Sequence, residues 1–207
     1  MRGSICLLAA AAFATAAHAT DLSVSVRTGA GQAVANAVVT LYSASSSEGV
    51  RFDWPYRMAQ QNLQFDPFVL IVPVGAVVSF PNRDSVRHQV YSFSPAHPFE
   101  LRLYGKDETR TVRFDKPGVV ALGCNIHDNM VAFIKVVDTP YAAKSDASGV
   151  AELRGAPGGS AILHVWQPYL KAPNNEIVRA VVLPREGLAR EELTVDLRAP
   201  PEPRADY

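Results

Sequence analysis

The sequence predicts an all-β protein built from two small β-sandwiches. Short segments with alternating apolar and polar residues recur along the chain, and turn residues such as glycine, proline, asparagine and aspartate separate them. This pattern is typical of β-strands. No helix of any length is indicated, because no long segment repeats its apolar residues at the 3.6-residue period. Many short strands at this spacing favour β-sandwiches.

Two strands are predicted near the start of the chain. Residues 22–27 (LSVSVR) alternate strictly, a glycine-containing turn follows, and residues 37–42 (AVVTLY) form the second strand. The polar loop at 43–49 is rich in serine and marks a plausible boundary.

The middle of the chain predicts seven more strands. Gly75 forms the turn between the first two, residues 105–107 (GKD) separate the fourth from the fifth, and a tight loop containing Cys124 separates the last two. These strands are residues 68–73, 76–80, 89–93, 99–104, 109–114, 119–122 and 130–137.

A second unit is predicted after the interruption at 138–141 (DTPY). Its turns, at 146–149 and 155–159, are rich in glycine, and a tail with three prolines follows its last strand. Its strands are residues 141–145, 150–153, 161–166, 177–183 and 192–197.

These elements divide the mature chain into a first domain at 20–138, a second at 139–198 and a tail at 199–207. The motifs of the first domain are confined to residues 57–138. Residues 22–42 also resemble the opening strands of the type of sandwich that the second unit resembles. Residues 21–45 therefore either supply the first strand of the first domain or complete the second domain. We favour the first assignment.

Composition and charge narrow the class of protein. The chain has 207 residues, of which 48% are hydrophobic and 19% are charged, as in an ordinary globular protein. Twenty basic residues balance twenty acidic ones, which argues against a partner made of nucleic acid. No run of 18 apolar residues follows the N-terminal segment, so no membrane-spanning helix is predicted.

Residues 1–19 predict a secretory signal peptide. A short basic start precedes an apolar run, and residues 17–19 (AHA) form an A-x-A cleavage site. Cleavage would remove Cys6 and leave Cys124 as the one cysteine of the mature chain. We therefore expect an exported, periplasmic protein.

An unpaired cysteine in an exported protein calls for an explanation, because oxidising compartments favour disulfides. Cys124 is an inert buried thiol, half of an intermolecular disulfide, or a metal thiolate. Its neighbours favour the metal: His127 and Met130 follow at intervals of three residues, and strand parity points Cys124 and Met130 toward the interior. His88 opens another strand after a polar loop, which can bring it to the same end of the sandwich.

One thiolate, two imidazoles and one thioether form the His₂Cys set with a weak axial methionine that suits copper in electron-transfer sites. The soft sulfur ligands favour Cu(I), whereas imidazole serves both oxidation states. A short loop on a rigid β scaffold limits ligand movement during a redox cycle. A zinc site uses the same Cys-His-His donors, but it leaves Met130 without a role.

The Cys-x-x-His-x-x-Met loop between two strands resembles that of the cupredoxins, the type 1 blue-copper family, and its spacing is similar to that of the amicyanin-like, short-loop members. Residues 75–93 (GAVVSFPNRDSVRHQVYSF) resemble the cupredoxin segment that leads to the first histidine ligand. The resemblance implies a Greek-key sandwich. It also implies one copper ion held by His88, Cys124, His127 and Met130.

The resemblance further implies that Asn82 braces the two ligand loops through a hydrogen bond near the thiolate. The whole chain looks like the methylamine-utilisation L-type cupredoxins of bacteria, and its second unit resembles transthyretin-type and carboxypeptidase-regulatory-like sandwiches. This implies single-electron exchange with periplasmic redox proteins by a protein that is not an enzyme. Asp128 and Asn129 depart from the family, because the amicyanin-like members carry an apolar pair there. A copper carrier or assembly factor and a metal-free binding module stay open as other functions.

Overall fold

The computed structural model describes residues 19–44 and 50–201. Within these ranges the chain forms sixteen β-strands and one short 3₁₀ turn at Pro173–Asn175, with no α-helix. The predicted all-β class is confirmed. The predicted signal segment up to residue 18, including Cys6, and the tail residues 202–207 lie outside the described residues.

Nine strands, β3 to β11, make up the first unit. They are β3 (Ala59–Gln61), β4 (Gln64–Asp66), β5 (Val69–Pro73), β6 (Ala76–Pro81), β7 (His88–Ser92), β8 (Phe99–Tyr104), β9 (Thr109–Phe114), β10 (Gly118–Gly123) and β11 (Val131–Val137). Seven strands make up the second unit. They are β1 (Ala19–Thr28), β2 (Val38–Ser43), β12 (Ala142–Lys144), β13 (Val150–Pro157), β14 (Gly159–Trp166), β15 (Glu176–Leu183) and β16 (Gly187–Val195).

The first unit encloses one apolar core between its sheets. A five-stranded sheet in the order β5-β11-β10-β7-β8 faces the β6-β9 pair, and the small β3-β4 hairpin lies beside them. Alternate residues of each long strand point into the core, as the two-residue period requires. In β11, for example, Ala132, Ile134 and Val136 are buried, whereas the residues between them are more exposed. Cys124 and Met130 belong to the same buried cluster.

The second unit takes strands from both ends of the described chain. Its two sheets have the orders β13-β1-β16 and β12-β2-β14-β15, and its core lies between them. β1 pairs in parallel with β16 over nine residues, and β2 pairs with β14 over six. The sequence analysis placed residues 21–45 in the first domain, but this pairing puts β1 and β2 in the second unit.

A third apolar cluster joins the two units. Val38 and Trp166 of the second unit pack with Phe52, Val69, Ile71 and Val137 of the first. At its edge the Lys135 Nζ on β11 lies 2.9 Å from Glu176 Oε1 on β15. The strand β11, which begins directly after Met130, is therefore packed against the second unit.

Most predicted strands are present with ends shifted by one or two residues. The sequence analysis missed the β3-β4 hairpin, and its last strand, predicted at 192–197, is observed as β16 at Gly187–Val195. Among the described residues, no helix is long and apolar enough to cross a membrane.

Candidate metal centre

Two loops at one end of the first unit carry the predicted ligands. The first ligand loop, residues 82–87, joins β6 to β7. His88 follows it as the first residue of β7. The second ligand loop, residues 124–130, joins β10 to β11. β10 and β11 pair over six residues directly below this loop, so both of its ends are fixed.

A close contact between Gly123 and Tyr91 fixes the start of the second ligand loop. Gly123 pairs with Tyr91 of β7, and a Cβ atom at position 123 would lie 2.7 Å from the Tyr91 ring. Only glycine leaves room for that ring at the residue before Cys124. Cys124 follows, and the structure describes it as a free, buried cysteine.

The structure brings three of the predicted ligands together. Cys124 Sγ lies 3.8 Å from His88 Nδ1 and 3.8 Å from His127 Nδ1. These three ligand atoms all lie within 4.8 Å of one another. The centres of the two imidazole rings are 4.9 Å apart. Among the described residues, this is the one group of three or more histidine, cysteine and acidic side chains that is close enough to hold a metal ion.

Met130 lies at the end of the second ligand loop. Its side chain is buried, in the same core cluster as Cys124, and its backbone N–H donates to the His127 carbonyl at 3.0 Å. This hydrogen bond closes the loop into a tight turn. The structure therefore agrees with the strand parity that pointed both sulfur atoms inward.

The four side chains differ in their access to solvent. His88 is fully buried, Cys124 and Met130 are 3% and 1% exposed, and His127 is half-buried. Ile126 beside it is 49% exposed, and Asp128 is exposed. A cleft of about 720 Å³ between the two units is lined by Cys124, Asp128 and Met130 on one wall and by Phe68 and Tyr169 among its other residues.

Asp84 is a site residue that the sequence analysis missed. Its Oδ2 lies 2.8 Å from His88 Nε2, so one nitrogen of the ring faces a carboxylate while the other faces Cys124. Burial raises the pKa of Asp84, but hydrogen bonds from His88, Leu63 and Asn62 outweigh this effect and lower the pKa below its ordinary value. The sequence offered no more than an acidic residue four positions before a candidate ligand, in a loop of irregular structure.

Asn82 is buried, but it braces one ligand loop rather than two. Its Nδ2 donates to the carbonyls of Val86 and Tyr104, and its Oδ1 accepts from the Asp84 N–H. Its backbone N–H donates to the Glu108 carbonyl. The backbone and side-chain N–H groups of Asn82 therefore all donate to residues outside the second ligand loop. The prediction that Asn82 forms a hydrogen bond near the Cys124 sulfur is wrong.

Comparisons with known proteins give distant similarities. No protein-family model matches the chain, and no curated protein matches it either. Among solved structures, a copper-containing nitrite reductase (NirK) from Thermus scotoductus SA-01 is 27% identical, with a TM-score of 0.39, over 46% of this chain and 25% of its own length. A reduced amicyanin variant is 18% identical, with a TM-score of 0.37, over 48% of this chain and 98% of its own.

An oxidised amicyanin variant is 20% identical, with a TM-score of 0.37, over 48% of this chain and 98% of its own. This chain thus spans a quarter of the nitrite reductase and nearly all of each amicyanin. Because the three TM-scores are below 0.5, these similarities do not support the assignment of a metal site. The support for that site is the set of interatomic distances given above.

Proposed function

We propose that this protein is a type 1 copper protein that transfers single electrons in the periplasm. The observation that carries the proposal is the buried Cys124 thiol, 3.8 Å from one imidazole nitrogen on each of two loops. With metal–sulfur bonds of about 2.3 Å and metal–nitrogen bonds of about 2.0 Å, the lengths found in zinc sites, two ligands 120° apart are separated by about 3.7 Å. Both sulfur–nitrogen distances therefore match those of a trigonal metal site.

The donor set favours copper over zinc. A thiolate, two imidazoles and a nearby thioether are the ligands of copper electron-transfer sites, and they are His88, Cys124, His127 and Met130. When bound, copper would supply a one-electron couple. Zinc has no redox chemistry and, in structural sites, takes four N or S ligands of ordinary strength.

The way in which the fold holds the candidate ligands supports electron transfer rather than catalysis. The second ligand loop is held between two paired strands, and His88 is enclosed in the core. Ligands held in this way change position little between oxidation states, which lowers the reorganisation that electron transfer requires. Four protein ligands would also leave no open position for a substrate.

Solvent access suggests where electrons enter or leave. His127 is the one candidate ligand that is not buried, and the half-exposed Ile126 and the exposed Asp128 flank it. We infer that a redox partner approaches this end of the first unit. A carrier of copper would instead be expected to present exposed methionines, but Met58 and Met130 are both buried.

The test is an absorption spectrum of the full chain after addition of Cu(II). We expect an intense visible thiolate-to-copper charge-transfer band that disappears on reduction and returns on oxidation. Cys124→Ser should abolish the band, whereas His97→Gln, a histidine outside the cluster, should keep it.

Other results would contradict the proposal. A band that persists in Cys124→Ser would exclude Cys124 as the ligand. Binding of Zn(II) with no coloured Cu(II) complex would indicate a zinc site. A Cu(I) complex that does not cycle would indicate the carrier function.

A further inference from the structure

The tip of the β3-β4 hairpin has a backbone conformation that its sequence does not favour. The two-residue turn at Asn62 and Leu63 has positive φ angles of 57° and 56°. A two-residue hairpin turn of this kind requires positive φ at both positions and favours asparagine followed by glycine. Asparagine tolerates the left-handed region, but leucine does so rarely. Something outside the turn must therefore stabilise it.

The Asp84 carboxylate supplies that support. The Asn62 N–H donates to Oδ1 at 2.7 Å, and the Leu63 N–H donates to Oδ2 at 3.1 Å. Both turn amides thus converge on one side chain of the first ligand loop. A carboxylate that accepts backbone N–H groups forms charge-assisted hydrogen bonds, which are stronger than neutral ones.

The same carboxylate holds the imidazole of His88. Asp84 Oδ2 accepts from the Leu63 N–H and also lies 2.8 Å from His88 Nε2. A proton on Nε2 leaves Nδ1 as the free acceptor nitrogen, and Nδ1 is the atom that faces Cys124. The hydrogen bond of one ring nitrogen fixes the tautomer and the orientation of a ligating histidine.

Further contacts dock the hairpin on the first ligand loop. The Arg83 N–H donates to the Gln60 carbonyl at 2.9 Å, and Gln60 also forms a parallel bridge with Asn82. Phe65 anchors the other strand of the hairpin in the core. The hairpin is therefore attached to the segment that ends at His88 by backbone as well as by side-chain contacts.

We propose that the tip of the β3-β4 hairpin is a positioning element for His88, with Asp84 as the positioning residue between them. The tip amides fix the carboxylate, and the carboxylate fixes the ring with Nδ1 toward the metal position. The inference rests on the proposed function as far as the metal is concerned, but the hydrogen-bond relay itself exists in the metal-free protein.

The first experiment uses the metal-free full chain labelled with ¹⁵N in its histidines. It measures the solvent-exchange rate of the His88 Nε2–H proton by NMR. Leu63→Pro removes one tip N–H and excludes the positive φ. We expect at least about 10-fold faster exchange, because the Asp84 carboxylate then loses a hydrogen bond of the stronger, charged kind. Leu63→Gly keeps the N–H and relieves the strain, so the proton should stay protected.

Two further variants keep this test decisive. Asn174→Pro likewise excludes a positive φ at an exposed residue, but in the second unit, and it should leave the His88 proton unchanged. If Leu63→Pro fails to fold, Asp84→Asn tests the relay from the other side. Its amide offers one acceptor oxygen in place of two and carries no charge. At least one of the three donors (the Asn62 N–H, the Leu63 N–H and His88 Nε2) therefore loses its acceptor, and the remaining hydrogen bonds are no longer charge-assisted.

The second experiment measures copper affinity by competition with a chelator. Leu63→Pro and Asp84→Asn should bind about 10- to 100-fold more weakly, the usual cost of removing an outer hydrogen-bond partner of a metal ligand. Asn174→Pro should bind like the parent protein. Because coupling between sites is reciprocal, metal should also slow the exchange of the Asn62 and Leu63 amides.

The two experiments fail in different ways. Unchanged protection of the His88 proton in both Leu63→Pro and Asp84→Asn would overturn the positioning role whether or not copper binds. If the relay holds in the metal-free protein but no variant, including the parent, binds copper, then the proposed function fails instead. Equal copper affinity in all variants would overturn the role of the tip in metal binding.

Discussion

The two ligand loops reach the same metal position by different means. In the first, side chains do the bracing: Asn82 and Asp84 together make hydrogen bonds to the loop, to β8 and to the β3-β4 hairpin, and the loop delivers a single buried histidine. In the second, the paired strands β10 and β11 hold both ends. This loop delivers one cysteine, one histidine and one methionine within seven residues.

The difference shows what each loop can tolerate. A loop fixed by polar side chains loses its shape when one of them is removed, because buried partners are then left unsatisfied. A loop fixed by its flanking strands can change its exposed residues freely, as long as the strands pair. We therefore expect substitution of the buried polar side chains of the first loop to affect both folding and metal binding. Substitution of exposed residues of the second loop should affect neither.

The largest expected contrast comes from removing each imidazole in turn. His127→Gly should lose the charge-transfer band and regain it when free imidazole is added, because this half-buried ring leaves an opening to solvent. His88→Gly should lose the band without recovery, since His88 is 0% exposed. Titration of both copper-loaded variants with imidazole, followed by absorption, checks this. Recovery in His88→Gly would show that the first loop is not closed.

The second ligand loop was predictable because its signals are local. Cys124 and Met130 follow or precede strands whose alternation fixes the inward face, and the observed burial of Leu122 and Ala132 has the same parity. The start of β7 at His88 was also foreseen within one residue. Local periodicity is sufficient for such elements, because side-chain direction in a strand repeats every two residues.

Other features depend on distant pairing and were missed. Residues 21–45 resemble the opening strands of the second unit, but their local alternation does not show that β1 pairs with β16, more than 150 residues away. The β3-β4 hairpin carries Asn-Leu in its turn, a weak signal beside Asn-Gly, and it becomes stable through Asp84, which is about twenty residues distant. Asp84 itself lies in an irregular loop, where a spacing of four residues has no fixed geometry.

An intermediate effect is expected from two asparagines, one in each loop. Asn82→Ala leaves the Val86 and Tyr104 carbonyls without their donor, so the free energy of unfolding should fall by about 3 kcal/mol. Asn125→Ala changes an exposed residue of the second loop and should stay within about 0.5 kcal/mol. Urea denaturation of the metal-free proteins measures both. Equal losses would remove the distinction between the two kinds of bracing.

The smallest effect concerns the support that the second unit gives to the second loop through β11. Lys135 on β11 lies 2.9 Å from Glu176 on β15, with side chains 12% and 22% exposed, and His164 lies 3.2 Å from the same carboxylate. Burial raises the pKa of Glu176, but its hydrogen bonds to Lys135 and His164 outweigh this and lower the pKa below its ordinary value of 4.5. The ionised form is therefore the one that stabilises the fold.

This contribution should be fully present above pH 4.5, the ordinary value, and should be lost as the pH falls through the lowered pKa of the folded state. Glu176→Gln should thus cost about 1 kcal/mol at pH 7, and the difference from the parent should shrink at pH values below that pKa. Glu152→Gln is the control, since its ion pair with Arg154 spans 3.9 Å between exposed side chains. Because Lys135 points away from the core that holds Met130, the charge-transfer band of copper-loaded Glu176→Gln should not move. A shifted band would mean that the second unit acts on the metal site and not only on the strand beneath it.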